Sequence, residues 1–216
     1  IATVCKCYKC YLYLDEAHSI GAMGATGRGV TEHCNVEPAD VAIMMGTFTK
    51  SFGGMGGYIA ADKAVTDHLR ISCSGSMSHN AMSPVVCQQI ITALKVIMGQ
   101  HAGGLGREKL LALKQNSNFF RQKCLDIGLH VYGDFDSPII PILLYNPTKI
   151  IAFSRECFKR GLAVVVVGFP ATPVVLSRCR FCVSAGHSQK DLEYAVQQIA
   201  EVAKLLKIRY AKSSYG

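Results

Sequence analysis

Residues 45–53 read MGTFTKSFG, and this stretch decides how the rest of the chain is interpreted. Lys50 follows the apolar run Val41–Met45 and stands among glycine, serine and threonine residues. A lysine that binds an anionic cofactor covalently needs such neighbours, because backbone and hydroxyl donors must approach the ligand closely. Thr47 and Thr49 could donate hydrogen bonds to a phosphate there. For this stretch alone, a solvent-exposed lysine in a glycine-rich turn is the better interpretation.

A second polar group follows the apolar run at residues 10–14. Asp15 closes that run, and in an open α/β sheet the ligand lies beyond the carboxyl ends of the strands. A carboxylate there can hold the nitrogen of a pyridine ring protonated, which makes the ring an electron sink. His18 lies three residues further on, within reach of an oxygen on the same ring. For an isolated pair of this kind, an aspartate capping a turn and a surface histidine are the commoner explanation.

Two arginines mark a third segment, RCRF at residues 178–181. Arg178 and Arg180 share one face of a strand, because side chains alternate with a period of two. One of them could clamp a substrate carboxylate with its two-pronged guanidinium, although a solvated strand face is the default interpretation. Upstream, GFPATP at 168–173 is a stiff turn that could be a substrate loop or only a connector.

The pattern of apolar runs predicts an α/β fold. Short runs at 10–14, 41–45 and 56–60 predict a mostly parallel sheet that is covered on both faces. Ser83 and Pro84 begin a helix that ends at Gly99, and a second helix is expected at about 107–125. The segments beyond it predict a compact α+β unit with strands at 139–145, 162–167 and 178–184 and helices at 147–159 and 189–206. We place the domain boundary near residue 115.

Composition excludes several classes of protein. The 216 residues carry a net charge of +8, but the lysines and arginines are scattered, so we expect no nucleic-acid arm. The ten cysteines include a crowded start, CKCYKC at 5–10, and a C-x-x-C pair at Cys179 and Cys182. No second pair of matching spacing follows the first group closely, and strand alternation points Cys179 and Cys182 to opposite faces, so we interpret all ten as reduced thiols of an intracellular protein. No apolar run reaches the ~18 residues of a membrane helix, and no signal peptide is expected.

In combination and in this order, the motifs resemble the α-oxoamine synthase family of fold-type-I enzymes that use pyridoxal 5'-phosphate (PLP). The stretches that carry the resemblance are LDEAHSIG at 14–21, TGRG at 26–29, MGTFTKSFG at 45–53, VVVVGFPATP at 164–173 and RCRFCVS at 178–184. The resemblance implies that residues 1–115 are the C-terminal part of a large PLP-binding domain. It implies that residues 116–216 are a small C-terminal domain.

The resemblance also implies roles for individual residues. Lys50 would bind PLP covalently and move the Cα proton of the substrate. Asp15 would pair with the pyridinium nitrogen, and His18 would contact the ring hydroxyl. The remaining roles are phosphate binding by Thr47 and Thr49 and binding of the serine carboxylate by Arg180.

Within the family, the valine-rich run before GFPATP favours the branch that condenses L-serine with palmitoyl-CoA. The implied reaction releases carbon dioxide and yields 3-ketosphinganine, the first step of sphingolipid biosynthesis. Members of this branch form a heterodimer of a catalytic second subunit with a non-catalytic first subunit. The resemblance places that heterodimer at the cytosolic face of the endoplasmic reticulum membrane, with membrane association through an upstream segment or through the partner.

The chain also departs from the family pattern. Asn80 stands about where the family has a threonine that reaches the phosphate across the dimer interface, and Met55 replaces a small residue. The first half of the large domain is expected upstream of residue 1, so we expect no turnover from these residues alone. Two alternatives stay open: a catalytically impaired paralogue that acts as a regulatory or dimerisation partner, and a related synthase that uses glycine.

Overall fold

The computed structural model describes residues 1–210. Its contacts divide the chain into two compact units, Ile1–Leu110 and a second unit that begins at Leu111. The division falls inside the long helix α6 (Leu105–Asp126). Each unit is described below by itself.

The first unit is built on a mixed sheet of three strands. β1 (Tyr13–Asp15) pairs in parallel with β2 (Ile43–Thr47), and β2 pairs in antiparallel fashion with β3 (Gly57–Ala61). The prediction of a mostly parallel sheet therefore holds only for the β1–β2 pair. The reason is the short connection at 48–56: a parallel return needs a crossover of about a dozen residues or more, so β3 must turn back beside β2.

Five helices and part of a sixth complete the first unit. The predicted helix after Ser83 is present as α5, with Pro84 in its first turn, and Gly99 beyond its end adopts a φ of +74°. The bounds are α1 Ala2–Tyr8, α2 Val30–His33, α3 Lys63–Ser72, α4 Ser74–Ser78 and α5 Pro84–Ile97. Helices α1 and α3 were not anticipated, although Asp62 at the N-cap of α3 is a recognisable start signal.

The second unit is an antiparallel sheet with helices. Its strands are β4 (Ile139–Leu143), β5 (Val165–Val167) and β6 (Arg178–Cys182), in the spatial order β4-β6-β5. Helix α7 (Pro147–Lys159) begins where predicted, because the Asn146 side chain accepts a hydrogen bond from Thr148 N at 2.9 Å. Helix α8 (Gln189–Leu205) begins with a capping box between Ser188 and Asp191.

The core of the second unit is one continuous apolar cluster. Phe153, Ile140 and Cys179 are fully buried in it, together with residues that extend from Phe120 to Ile208. Cys179 is buried whereas Cys182, three residues along the same strand, is exposed, as the alternation of strand side chains predicts. Between residues 1 and 210, no helix has the length and apolarity that crossing a membrane requires.

Candidate cofactor site

The predicted site residues of the first unit meet at one edge of its sheet. Asp15 is the last residue of β1 and lies opposite Met45 of the parallel strand β2. Thr47 ends β2 and pairs with Gly57, the first residue of β3. The carboxyl ends of parallel strands lie at the same end of a sheet. Asp15, Thr47 and the residues that follow them therefore lie together at that end.

Lys50 lies in a tightly closed loop at that edge, here called the lysine loop (residues 48–56). Phe48 N donates to Gly56 O at 3.0 Å, and Gly54 N donates to Phe48 O at 2.8 Å. Phe52 is buried beneath the loop and packs edge-on against Phe48, with ring centroids 5.5 Å apart. Lys50 itself is exposed, and its amine has no hydrogen bond or ion pair with any residue from 1 to 210. The loop therefore presents an available amine on a fixed backbone.

Thr47, which directly precedes the lysine loop, and Thr49, which lies within it, make different hydrogen bonds. The Thr47 hydroxyl donates to Gly56 O at 3.1 Å and accepts from Thr49 N at 3.3 Å. The two hydroxyl oxygens are 2.8 Å apart, and a hydroxyl has only one proton, so Thr49 is the donor between them. Thr47 is thus committed to closing the loop, whereas the Thr49 hydroxyl can turn its proton to a phosphate oxygen.

Asp15 and His18 occupy the turn that follows β1, and both side chains are exposed. One oxygen of the Asp15 carboxylate accepts a hydrogen bond from Ala17 N at 2.8 Å, which fixes the orientation of the carboxylate. A carboxylate offers about four acceptor positions, so this bond leaves capacity for a ring nitrogen.

Glu16, which the sequence interpretation missed, is the buried carboxylate of this region. It accepts hydrogen bonds from the Ser19 hydroxyl and from the backbone N–H groups of Val30 (3.0 and 3.1 Å) and Thr31 (3.4 Å). Gly29 lies against it with a φ of +88°, and a Cβ there would come within 2.3 Å of a Glu16 carboxylate oxygen. The only local signal was an acidic residue directly after a buried strand and before a run of glycines.

Glu32 fixes the same glycine-rich segment from another side. Its carboxylate accepts from Thr26 N at 3.0 Å, from the Thr26 hydroxyl at 2.8 Å and from Arg28 N at 3.1 Å. Burial raises the pKa of the Glu32 carboxyl, but the hydrogen bonds from Thr26 and Arg28 outweigh burial, so the pKa is lowered. Glu32 stays ionised and holds the turn at 24–28.

Arg178 and Arg180 lie half-buried in β6 of the second unit, and their common strand face is as predicted. Arg180 stands opposite Pro141 and Val165 in the sheet. Its Nε atom is buried and has no hydrogen-bond partner among residues 1–210. A desolvated, unsatisfied donor is costly, and an anionic ligand such as a carboxylate would satisfy it.

The two departures from the family pattern are both at the surface of the first unit. Asn80 is exposed between α4 and α5, and Met55 of the lysine loop is 66% exposed. Their effects on cofactor binding stay predictions.

The donor set at the sheet edge fits PLP. A carboxylate for a ring nitrogen, an imidazole, a hydroxyl donor and an unpaired primary amine come from two adjacent parallel strand ends. A site for a metal ion is not seen: the part of the chain that the structure describes has no group of three His, Cys, Asp or Glu side chains placed to hold one.

Comparison with known proteins supports this assignment. The family model for aminotransferase class I and II matches residues 1–199. The chain is 55% identical to long chain base biosynthesis protein 2a of Oryza sativa subsp. japonica, over 97% of the chain and 43% of that protein. It is 49% identical to serine palmitoyltransferase 2 of Dictyostelium discoideum, over all of the chain and 44% of that protein.

A solved structure agrees with these matches. The serine palmitoyltransferase of Sphingomonas wittichii superposes with a TM-score of 0.83 at 29% identity, over 96% of the chain and 50% of that structure. The chain thus spans less than half the length of the curated relatives that it matches. The resemblance inferred from the motifs is confirmed.

Proposed function

The chain belongs to the aminotransferase class I and II family, and from that membership we propose that it is part of a PLP-dependent acyltransferase with L-serine and palmitoyl-CoA as substrates. The reaction releases carbon dioxide and yields 3-ketosphinganine. In this proposal residues 1–115 are the C-terminal part of the large domain of a fold-type-I enzyme, and residues 116–216 are its small domain. The strongest support is Lys50, whose amine is exposed on a closed loop at the strand edge that also carries Asp15.

Bound PLP supplies an electron sink that stabilises negative charge at the substrate Cα. Lys50 would anchor the cofactor, and its amine would take and return the proton at the serine Cα. The Asp15 carboxylate keeps the ring nitrogen protonated. His18 contacts the ring hydroxyl from the same turn.

Two further groups orient the anionic ends of the ligands. Thr49 would donate a hydrogen bond from its hydroxyl to the cofactor phosphate, while Thr47 keeps the loop closed. Arg180 binds the serine carboxylate, which would satisfy its buried and unpaired Nε.

The proposed partner is the first subunit of serine palmitoyltransferase, in a heterodimer at the cytosolic face of the endoplasmic reticulum membrane. Support comes from relatives such as serine palmitoyltransferase 2 of Dictyostelium discoideum and serine palmitoyltransferase 3 of Homo sapiens, which is 45% identical over 96% of this chain and 38% of that protein. Membrane association would come through the partner or through a segment outside these residues.

Titration with PLP tests the cofactor site. The change is Lys50→Ala, and the matched control is Lys63→Ala, because Lys63 lies in the same unit and its side chain is 87% exposed. We expect the visible absorption band of lysine-bound PLP in the unchanged chain and in the Lys63→Ala variant, and no band in the Lys50→Ala variant. Absence of the band from the unchanged chain, or its persistence without Lys50, contradicts the proposal.

A further inference from the structure

Glu16 is a buried carboxylate to which the proposed chemistry gives no role. It follows Asp15 directly, yet it is only 2% exposed, whereas Asp15 faces solvent. A carboxylate is strongly disfavoured away from water unless hydrogen bonds satisfy it. Here its acceptors are satisfied by one hydroxyl, that of Ser19, and by two backbone N–H groups, those of Val30 and Thr31.

These donors come from the two ends of one loop, here called the glycine loop (residues 19–29). At its start, the Ser19 hydroxyl bonds the carboxylate, and Ser19 N and Ile20 N bond the Glu16 carbonyl at 3.0 and 2.9 Å. At its end, Val30 N bonds both carboxylate oxygens. The side chain of Glu16 therefore clamps the loop closed at its base.

The clamped loop lies directly against the lysine loop. Gly21 has a φ of +72°, and a Cβ there would be 2.7 Å from the Ser51 Cβ and 3.1 Å from the Phe52 ring. Ser51 is the neighbour of Lys50 in the chain. The backbone of the glycine loop at Gly21 thus packs directly against the side chains of Ser51 and Phe52, on the segment that carries the amine.

The charge of Glu16 also acts on Tyr58 of β3. Tyr58 of β3 lies over Gly46, where a Cβ would be 2.4 Å from its ring. Burial raises the pKa of the Tyr58 phenol, and the negative charge of Glu16 raises it further.

We propose that Glu16 is a positioning residue for Lys50: by clamping the glycine loop, it supports the lysine loop and holds the amine and the Asp15 carboxylate toward one ligand. The cofactor part of this inference rests on the proposed function, whereas the support of the lysine loop does not. The two parts are therefore tested by different measurements.

The chain offers a matched control in Glu32. Glu32 also collects two backbone N–H bonds and one hydroxyl bond from the same loop, at Thr26 and Arg28. Its part of the loop faces elsewhere, since a Cβ at Gly27 would meet Ile97 and Leu110 rather than the lysine loop. Glu16→Gln and Glu32→Gln are thus the same chemical change in one loop, and the first should affect the lysine loop more strongly.

Amide hydrogen exchange of the cofactor-free chain measures directly whether Glu16 supports the lysine loop. The reporters are Phe48 N and Gly54 N, which bond across the lysine loop, and the reference is Val183 N, which bonds Pro138 O in the second unit. We expect exchange at the reporters to rise by about 10-fold or more in Glu16→Gln and by less than about 3-fold in Glu32→Gln, with the reference unchanged. Equal rises in both variants, or a rise at the reference, overturn the proposal.

Titration with PLP measures whether loss of that support weakens cofactor binding. We expect the dissociation constant of PLP to rise by about 10-fold in Glu16→Gln and by less than about 3-fold in Glu32→Gln. If the unchanged chain binds no PLP, the proposed function fails, and the exchange data still decide the role of Glu16. Ser19→Ala is the second variant, used if Glu16→Gln folds poorly. It removes one donor to the Glu16 carboxylate, keeps the carboxylate itself, and should produce a smaller rise in exchange at the same reporters. No change in exchange at those reporters counts against the clamp.

Discussion

Each of the two units of this chain is stabilised by a different kind of interaction. Apolar burial dominates the second unit, where one continuous cluster extends from Phe120 to Ile208. In the first unit, the hydrophobic side chains buried between residues 1 and 110 are only Val41, Phe52, Ile90 and Leu110. Its loops are instead fixed by hydrogen bonds to three side chains: Glu16, Glu32 and Thr47.

This difference separates stability from chemistry. Burial of apolar area is non-directional and stabilises a fold as a whole, whereas a hydrogen-bonded clamp fixes the position of one loop. A net contribution of ~1 kcal/mol for each hydrogen bond makes the clamps a modest source of stability. Ligand-binding loops are usually drawn from the least stable parts of a protein, and the candidate site lies in the unit with the smaller core. Bound cofactor should therefore add most to the stability of the first unit.

Cysteine labelling gives the largest expected contrast. All six cysteines of the first unit are exposed or partly exposed, whereas Cys124, Cys157 and Cys179 of the second unit are buried. Burial raises the pKa of Cys157 to about 12 and raises that of Cys179 well above its ordinary value. We expect Cys179 to react with iodoacetamide at least about 1,000-fold more slowly than exposed Cys182, because it reacts only after the core opens.

Mass spectrometry of timed labelling reactions measures this ratio within one molecule, so protein and reagent concentrations cancel. Urea above the unfolding midpoint is the control, since the two thiols should then react at similar rates. Similar rates under native conditions would contradict the tight core of the second unit.

A substitution in the second core has the next largest effect. Phe153 is fully buried in α7, so Phe153→Ala should lower the free energy of unfolding of the second unit by about 3–5 kcal/mol. The control is Phe158→Ala on the same helix, where the ring is 76% exposed and the expected change is within about 0.5 kcal/mol. Urea unfolding followed by labelling of Cys179 measures both, and equal effects would contradict the comparison.

The sequence predicted those features that depend on local patterns. Helix α7 was placed to the residue because Asn146 and Pro147 are a strong start signal and the apolar spacing is regular. The meeting of Asp15 with the lysine loop followed from one parallel strand pair, since parallel ends share an edge. Strand alternation predicted that Cys179 and Cys182 lie on opposite faces of β6, and in the structure the first is buried and the second exposed.

Features that depend on the path of a loop could not be predicted. Glu16 meets Val30 across 14 residues, and no periodicity encodes that contact. The antiparallel direction of β3 follows from the short connection after β2, and the prediction of a mostly parallel sheet did not weigh that length. The sequence also treated Thr47 and Thr49 alike, because only coordinates show which hydroxyl is already committed to Gly56 O.

That last distinction yields the smallest predicted effect. Thr47→Val removes the hydroxyl bond to Gly56 O, which keeps its bond from Phe48 N, and leaves Thr49 N without its acceptor, so the loop itself loosens. Thr49→Val keeps the Thr47–Gly56 bond and removes the hydroxyl that donates to Thr47 here and that can turn toward a phosphate instead. Pyridoxal, which lacks the phosphate, separates the two cases.

We expect Thr49→Val to weaken binding of PLP by about 10-fold, or ~1.4 kcal/mol, and to leave binding of pyridoxal unchanged. Thr47→Val should weaken both ligands by a similar factor, because both need the same loop. Titration of each variant with each ligand gives the four dissociation constants. A loss confined to PLP in the Thr47→Val variant would show that Thr47 binds the phosphate directly, and the first unit would then have one clamp fewer than its hydrogen bonds indicate.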